Sequence, residues 1–200
     1  MIIKLPDVKK DSNFSLETAI YKRRSIRNYS HKTLKIEDIS TILWAGQGIT
    51  LEKEGLRSVP SAGALYPIEL YLVSYKVENL KPGVYKYFPH NHHIKLTKEG
   101  DFRESLFSAC LLQEWIRECN ASIVISAIFE RTTKKYGERG KKYVYIEAGC
   151  VAQNIHLVSE RLGIGTVIVG AFSENEVKKI ISMEHNEIPI ALMPLGYKNN

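Results

Sequence analysis

The longest regular pattern of apolar and polar positions in the chain lies within residues 143–172. Apolar residues recur there at spacings of 4, 3, 4, 3 and 4 positions: Val144, Ala148, Val151, Ile155, Val158 and Leu162. Such spacing places the side chains on one face of a helix. The pattern therefore predicts one long helix with a single apolar seam, followed by a glycine break, a short strand and a second glycine turn.

A second line of positions on this predicted helix carries small or polar residues, Gly149, Gln153 and His156. One interpretation is a central packing helix whose second face is solvated. The other is a face that lies against something flat, either a cofactor or a second copy of the chain. The pattern by itself favours the packing helix.

The remaining pattern predicts shorter elements on both sides of this helix. Helices are expected at residues 14–23 with Ser12 or Asn13 as the cap, 36–45, 102–109, 111–119, and from a capping box of Ser173 and Glu176 to residue 181. Apolar runs predict strands at residues 69–75, 83–88, 93–97, 122–129, 166–169 and 188–195. Residues 50–60 and the basic residues 131–142 are expected to form loops.

Strands and helices are thus mixed, with a hairpin among them, and this order favours an α+β fold over a regular alternation of strand and helix. No internal repeat, low-complexity tract or Pro/Gly/Ser-rich linker interrupts the chain. Residues 1–200 are therefore expected to form a single domain.

Composition adds limits on the setting of the protein. Its apolar content of 44% and charged content of 25% are typical of folded globular domains. No apolar run is long enough for a transmembrane helix and no secretory signal is apparent, so no membrane partner is expected. The cysteines Cys110, Cys119 and Cys150 lack the spacing of a zinc site. They indicate a reducing, cytoplasmic setting without a metal or a disulfide framework.

The net charge of +6 is concentrated in two basic clusters, at residues 22–27 and 131–142. Such charge suits nucleic acid, an anionic membrane or a phosphorylated small molecule. No zinc finger, basic zipper or aromatic RNA-binding motif accompanies either cluster, so a nucleic-acid partner is not expected. In the first cluster Arg23 and Arg24 suit the C-terminal cap of a helix, whereas Arg27 lies beyond it. A phosphate site for this cluster is as well supported as a cap.

Other stretches leave their chemistry open. Ser61 could cap a short helix of small residues whose backbone amides are accessible to a planar ligand, although a plain turn fits equally well. Residues His90, His92 and His93 lie at a predicted hairpin turn, where a solvated tip is favoured over a metal site.

The glycines of residues 163–170 follow a helix, whereas the glycines of a dinucleotide-binding fingerprint follow a strand and open a helix. Because no motif for side-chain catalysis is present, a bound cofactor is the expected source of chemistry.

Several motifs, taken together and in order, resemble the FMN-dependent nitroreductases. They are RRSIRNY at residues 23–29, RSVPSAGALYP at 57–67, YGERG at 136–140, EAG at 147–149, QN at 153–154 and the glycine-containing stretch 162–172. The second motif is most similar to the branch that dehydrogenates azoline rings in thiazole/oxazole-modified peptides. The resemblance covers nearly the whole chain, from about residue 14 to residue 198.

The resemblance implies a central mixed or antiparallel sheet flanked by helices, in an intertwined homodimer with two FMN sites. It assigns cofactor binding to Arg23, Arg24, Ser25, Arg27, Gln113, Ile168, Val169, Gly170, Ala171 and Lys198, and, from the second subunit, to Pro60, Ser61, Ala62 and Gly63. The Gly170 amide would donate towards the flavin N5 atom. Lys135 and Tyr136 resemble a lysine–tyrosine pair that supplies acid–base help, although a solvated loop lysine is the favoured interpretation of Lys135.

The function implied by this resemblance is ping-pong hydride transfer. NADH or NADPH would reduce the flavin, and a small acceptor such as a nitroaromatic compound or a quinone would reoxidise it. One alternative is an azoline dehydrogenase of peptide modification. Another is a flavin-binding sensor or carrier that has no turnover of its own.

Overall fold

The computed structural model describes residues 1–10 and 12–199. Its helices are α1 Leu16–Lys22, α2 Ile36–Gln47, α3 Arg103–Ala109, α4 Glu114–Glu118, α5 Glu130–Tyr136, α6 Arg139–Arg161 and α7 Glu174–Ile181. Its strands are β1 Ile2–Lys4, β2 Ile49–Leu51, β3 Leu56–Arg57, β4 Ile68–Ser74, β5 Gly83–Phe88, β6 His93–Glu99, β7 Ala121–Ala127, β8 Ile164–Thr166 and β9 Ile188–Tyr197. No helix within the described ranges is long and apolar enough to cross a membrane.

The central sheet has seven strands in the order β1-β6-β5-β4-β7-β9-β8, and every neighbouring pair is antiparallel. Strand β7 lies inside it, and all seven of its residues are buried. An unbroken apolar run is typical of a strand that is covered on both faces. The predicted α+β fold, with a central antiparallel sheet flanked by helices, is confirmed.

Helix α6 covers one face of this sheet with the apolar seam that its spacing predicts. Val144, Val151 and Ile155 are fully buried in the larger core, together with side chains of α2 and β4. Gly46 allows α2 to approach closely, because a methyl group there would lie 2.8 Å from Cδ1 of Leu70. A second core on the opposite face contains side chains of α3, α4 and α7.

The predicted loop at residues 131–142 is wrong, because this stretch is helical. It contains most of α5, a turn at Gly137 with φ of 58°, and the first residues of α6. Lysine and arginine are good helix formers, so a basic composition alone does not indicate a loop. Gly140 packs onto α5, where a methyl group would lie 3.0 Å from Cα of Thr133.

Several predicted boundaries and caps also differ. Helix α1 begins at Leu16, and Ser15 caps it by accepting a hydrogen bond from the Thr18 amide at 3.1 Å, in place of Ser12 or Asn13. The predicted loop at 50–60 contains the small β2–β3 hairpin. The helix expected from residue 111 begins at Glu114, since residues 111 and 112 have positive φ. Ser173 occupies the N-cap of α7, yet its side chain makes no capping hydrogen bond.

The three histidines at the β5–β6 turn do not share one solvated tip. His90 is exposed, whereas His92 is half-buried and its ring contacts Ser40 Oγ at 2.7 Å and Tyr87 Oη at 2.8 Å. Burial lowers the pKa of His92. Within residues 1–10 and 12–199 no group of three potential metal ligands is found. His92 therefore links the hairpin to α2.

Candidate functional site

One group of candidate residues lies at the C-terminal end of α6. We name it the arginine edge: residues 23–29 and 165–171, with Gln113 and Lys198. Residues 23–29 run beside β8 and β9, because the Ile26 amide donates to Thr166 O at 2.9 Å and the Ser30 amide donates to Tyr197 O at 2.8 Å. The backbone of β8 and β9 thus fixes the RRSIRNY segment.

Two glycines permit this close approach. A methyl group at Gly165 would lie 2.6 Å from Cγ2 of Ile26, and one at Gly196 would lie 2.6 Å from Cβ of Tyr29. These distances are shorter than real Cβ contacts, so larger residues would displace the segment. Gly163 has φ of 70° and follows the C-cap of α6. Gly165 and Gly163 thus serve packing and the end of α6, whereas Gly170, where a methyl group would meet nothing within 4 Å, is open to a ligand.

The cations of the arginine edge have different surroundings. Arg24 Nη1 donates to Tyr21 O at 3.0 Å and to Arg23 O at 2.8 Å, so this side chain caps the end of α1. The Arg27 guanidinium stacks on the Trp115 ring at 5.2 Å. In the described part of the chain neither Arg23 nor Arg27 forms a salt bridge. The cap interpretation therefore fits Arg24, and the phosphate interpretation fits Arg23 and Arg27.

Residues 168–171 form an accessible stretch of backbone shortly after β8, the strand that Ile26 contacts between Arg23 and Arg27. Val169 is buried and pairs with Leu192 through hydrogen bonds of 2.8 and 2.9 Å. Ile168 is 48% exposed, and a methyl group placed on Gly170 would meet nothing within 4 Å. Gln113 Nε2 donates to Ala171 O at 2.8 Å and to Cys110 O at 2.7 Å. Gln113 thus anchors this backbone, and its amide hydrogens are engaged within the chain.

The end of α6 supplies two further groups. Lys198 Nζ forms a 2.6 Å ion pair with Glu160, and the Lys198 amide donates to Gly163 O at 3.0 Å. His156 is buried, and burial together with the Arg23 charge lowers its pKa to about 4. His156 is therefore neutral near pH 7 and does not add to the positive charge. The predicted second face of α6 is thus partly buried, since His156 does not lie on its open part.

Two guanidinium groups that form no salt bridge with any described residue, together with the open backbone at Gly170, fit FMN, whose phosphate is an anion and whose ring system is flat. Arg23 and Arg27 would hold the phosphate through charge-assisted hydrogen bonds. The exposed Ser25 lies between them in the chain. The missing Cβ at Gly170 leaves room for a ring against the main chain.

A second group lies at the N-terminal end of α6. We name residues 61–66 the Tyr66 turn; it contains a short 3-10 helix, Ala62–Ala64. Ser61 does not cap this helix with its side chain, and its Oγ accepts a hydrogen bond from the Tyr66 amide at 2.9 Å. Gly63, Ala64 and Tyr66 have φ of 63°, 54° and 45°. Left-handed backbone at non-glycine residues stores strain, which is common at functional sites.

Lys135 and Tyr136 approach this turn from the last residues of α5. A methyl group at Gly63 would lie 2.8 Å from Tyr136 Oη and 3.0 Å from Lys135 Nζ. The Tyr136 ring packs edge-on against the Tyr143 ring, with centroids 5.2 Å apart. The structure therefore brings Lys135, Tyr136 and Gly63 together within one chain.

Sequence reasoning missed the side chains that support the Tyr66 turn. The Arg57 guanidinium lies 4.5 Å from the centroid of the Tyr66 ring, and the Arg57 amide donates to Tyr66 Oη at 3.2 Å. Arg131 Nη1 donates to Tyr66 O at 2.9 Å. Glu147 is buried nearby; burial raises its pKa, while Ser61, Gln47 and Arg57 oppose the rise. The available signal was the polarity of Glu147 inside an otherwise apolar helical region.

Helix α6 runs between the arginine edge and the Tyr66 turn, and its Asn154 side chain donates to Ser58 O, close to that turn, at 3.3 Å. The part of α6 between Tyr143 and Glu160 is about 26 Å long, at 1.5 Å of rise per residue. Between these ends the helix exposes Tyr145 at 58% and Ile146 at 54%, and Gly149 and Gln153 are also exposed. The open face of α6 is therefore partly apolar.

Comparison with known proteins places the chain in a sequence family. Residues 20–197 match the model of the nitroreductase family. A candidate nitroreductase of Methanocaldococcus jannaschii is 42% identical over 198 residues, which cover 99% of this chain and 97% of that protein. The microcin B17-processing protein McbC of Escherichia coli is 28% identical over 151 residues, 72% of this chain. The match covers only 55% of McbC.

Solved structures show the same fold. A candidate nitroreductase from Ralstonia eutropha superposes with a TM-score of 0.87 at 24% identity, and the match covers 100% of this chain and 90% of that chain. The NADPH:FMN oxidoreductase of Vibrio harveyi, solved with NAD+, superposes with a TM-score of 0.67 at 18% identity. That match covers 92% of this chain and 69% of the Vibrio chain.

Proposed function

The chain belongs to the nitroreductase family of oxidoreductases, and from this premise we propose that it is an FMN-dependent enzyme. In this proposal it transfers hydride by a ping-pong mechanism from NADH or NADPH to a small organic acceptor such as a nitroaromatic compound or a quinone. We also propose a cytoplasmic setting, which suits its three free cysteines.

The observation that carries the proposal is that the arginine edge contains both the open backbone at Gly170 and two arginines, Arg23 and Arg27, which form no salt bridge with any described residue. Arg23 and Arg27 would bind the phosphate, with Ser25 beside them and Lys198 near the end of α6. Bound FMN would supply hydride transfer at its N5 atom. The Gly170 amide would donate towards that atom, while Gln113 holds the neighbouring Ala171 carbonyl in place.

We propose that the active site is shared between two copies of the chain. Pro60, Ser61, Ala62 and Gly63 would approach the flavin bound at the arginine edge of the second subunit. The exposed, partly apolar face of α6 would provide contact area for a twofold interface.

Anaerobic reduction tests the proposed activity. Purified protein loaded with FMN should be yellow, and its visible absorption should bleach when NADPH or NADH is added without oxygen. Gly170→Val should keep the fold while slowing this reduction, because its side chain would enter the space beside the backbone. Failure to take up FMN would reject the proposal. Binding of FMN without reduction by either nicotinamide would identify a sensor or carrier instead.

Subunit mixing tests the shared site. A chain with Arg27→Ala and a chain with Gly63→Val should each be impaired alone. Mixed dimers should regain up to about half of the sites if the two regions serve one flavin from different subunits. No recovery in proven mixed dimers would place both regions at one site within a single chain.

A second candidate function is azoline oxidation in peptide modification. It is favoured by the convergence of Lys135 Nζ and Tyr136 Oη at Gly63 and by the similarity to McbC, a microcin B17-processing protein. Lys135 and Tyr136 would then move a proton at the substrate. Lys135→Ala and Tyr136→Phe should abolish oxidation of an azoline peptide but leave flavin reduction by nicotinamide intact. Absence of azoline oxidation in the native protein would exclude this candidate.

A further inference from the structure

We infer that Arg131 is a positioning residue: it fixes helix α5 to the Tyr66 turn and so holds Lys135 and Tyr136 against Gly63. The inference rests on the proposed function for its catalytic meaning. Its structural content, the coupling of α5 to the turn, can be tested without turnover.

Helix α5 needs such an anchor because it is short. It has seven residues, from Glu130 to Tyr136, and the turn at Gly137 separates it from α6. Isolated helices of this length are not stable in water, so tertiary contacts must determine where its last residues lie. Buried Thr132 and the packing of Gly140 hold one side of α5. Among the described residues of α5, Arg131 is the one whose side chain donates a hydrogen bond to the Tyr66 turn.

The position of Arg131 in α5 suits this role. Arg131 and Lys135 are four residues apart and therefore lie on the same face of the helix. Arg131 Nη1 donates to Tyr66 O at 2.9 Å, while Lys135 Nζ and Tyr136 Oη reach Gly63 three residues earlier in the same turn. The helix and the turn thus meet at two points, and Arg131 provides the hydrogen-bonded one.

Arg131 is itself held by a carboxylate. Its Nη1 lies 2.6 Å from Oε1 of Glu69, a residue of β4 whose side chain is only 14% exposed. The same guanidinium therefore contacts the sheet and the carbonyl of strained Tyr66. A planar guanidinium loses less freedom on forming such contacts than an ammonium group does. Through Arg131, both the turn and α5 are thus attached to strand β4.

Arg57 offers a matched control because it contacts the ring of the same tyrosine, whereas Arg131 contacts its carbonyl. Its guanidinium covers the Tyr66 ring and its Nη1 donates to Gln47 Oε1 at 2.7 Å. This side chain supports the turn from α2, and none of its hydrogen bonds involves α5. Substitution of either arginine should loosen the turn, whereas only substitution of Arg131 should uncouple the turn from α5.

The decisive experiment measures coupling between Tyr136 and Gly63 by NMR. In the native background, Tyr136→Phe should shift the Gly63 amide resonance, because the hydroxyl lies beside that backbone. In the Arg131→Gln background we expect this shift difference to fall by at least about half, as the last turn of α5 moves away. In the Arg57→Gln background we expect it to persist. A full shift difference with Arg131→Gln, or equal losses with both arginine variants, would overturn the inference.

Two further variants cover partial effects and poor folding. Glu69→Gln removes the ion pair but keeps the carbonyl contact, so most of the coupling should remain. Arg131→Lys retains one cationic donor and should restore part of the coupling that Arg131→Gln loses. If Arg131→Gln does not fold, the lysine variant decides: coupling equal to that of the native protein would show that the arginine fork is not needed.

Kinetics add the functional consequence. With Arg131→Gln, kcat for reactions that use Lys135 and Tyr136 should fall about 10- to 100-fold, as misplacement of catalytic groups by about 1 Å can do. FMN affinity and KM for the nicotinamide should stay unchanged. A uniform loss in all three would instead indicate general destabilisation. If the native protein shows no turnover, the proposed function fails while the NMR result still decides the positioning role.

Discussion

The two ends of α6 hold their functional groups in opposite ways. At the arginine edge, backbone hydrogen bonds and the glycines Gly165 and Gly196 fix a segment whose Arg23 and Arg27 side chains form no salt bridge with any described residue. At the Tyr66 turn, side chains fix a backbone that is itself strained. In the first region the main chain is fixed by backbone contacts, and in the second the main-chain shape depends on side-chain contacts.

This difference determines which changes each region tolerates. The stability of the arginine edge should be sensitive to added volume under the segment and insensitive to loss of Arg23 or Arg27. The Tyr66 turn should be sensitive to loss of its arginine contacts. The division suits the proposed site, since an anion needs exposed cations on a fixed backbone. Reactive side chains need accurate placement instead.

The largest expected effect tests the glycine packing at the arginine edge. Gly196→Ala should lower the free energy of unfolding by about 3 kcal/mol, since overpacking of this kind costs roughly 1–3 kcal/mol or more and the new methyl group would lie 2.6 Å from Tyr29 Cβ. Chemical denaturation measures the loss. Gly170→Ala, which meets open space, is the control and should be neutral. Equal stability of the two variants would contradict the close packing.

The next effect separates the arginines. Arg27→Ala should weaken FMN binding by about 2 kcal/mol, because a hydrogen bond to a charged group contributes roughly 1.5–3 kcal/mol. Arg24→Ala should weaken it less, since Arg24 already donates to two backbone carbonyls of α1. Fluorescence titration with FMN compares them. A larger loss with Arg24→Ala would show that the caps and the phosphate contacts had been assigned the wrong way round.

A pH series tests the burial of His156 at the same end. Its pKa is lowered from the usual 6.5 to about 4, mainly by burial and then by Arg23. As the pH falls, His156 therefore binds a proton in the unfolded chain before it does so in the folded protein. Burial of the neutral ring costs no stability above about pH 6.5, and the free energy of unfolding decreases as the pH falls from there towards 4. The loss should reach about 1.5 kcal/mol between about pH 7 and pH 5. His156→Gln should flatten that part of the stability curve; an unchanged slope would rule out His156 as its source.

The smallest effect on stability tests the Tyr66 turn. Gly63→Ala should cost about 1 kcal/mol, because left-handed backbone disfavours a side chain by roughly 1–2 kcal/mol and the flexible Lys135 can move aside. The substitution should displace the Tyr136 side chain clearly although the loss of stability is small, since the methyl group would lie 2.8 Å from Tyr136 Oη. Thermal unfolding and the fluorescence of Tyr136, isolated by comparison with Tyr136→Phe, measure both. A stability loss above that of Gly196→Ala would reverse the comparison between the two ends.

Parts of the fold could be predicted because they depend on local periodicity. The seam of α6, the buried strand β7 and the β5–β6 hairpin follow from spacings of three and four, from a continuous apolar run and from alternation. The loop predicted for the basic residues of α5 was wrong, because a high content of charged residues is common in loops but lysine and arginine also favour helix. The positive φ of Ala64 and Tyr66 has no local signal, since neither residue type prefers that conformation.

The sequence by itself determined the mixed α+β architecture, the helix that organises it and the set of residues that resemble a flavin site. Only the tertiary structure decided how that set divides: Arg24 caps a helix, Gly165 and Gly196 serve packing, Gly170 stays open, and Lys135 and Tyr136 meet Gly63. The physical reason is the distance along the chain between the residues that interact. Periodicity and capping act within a few residues, whereas the partner of a guanidinium or the space beside a glycine is set by segments distant in the chain.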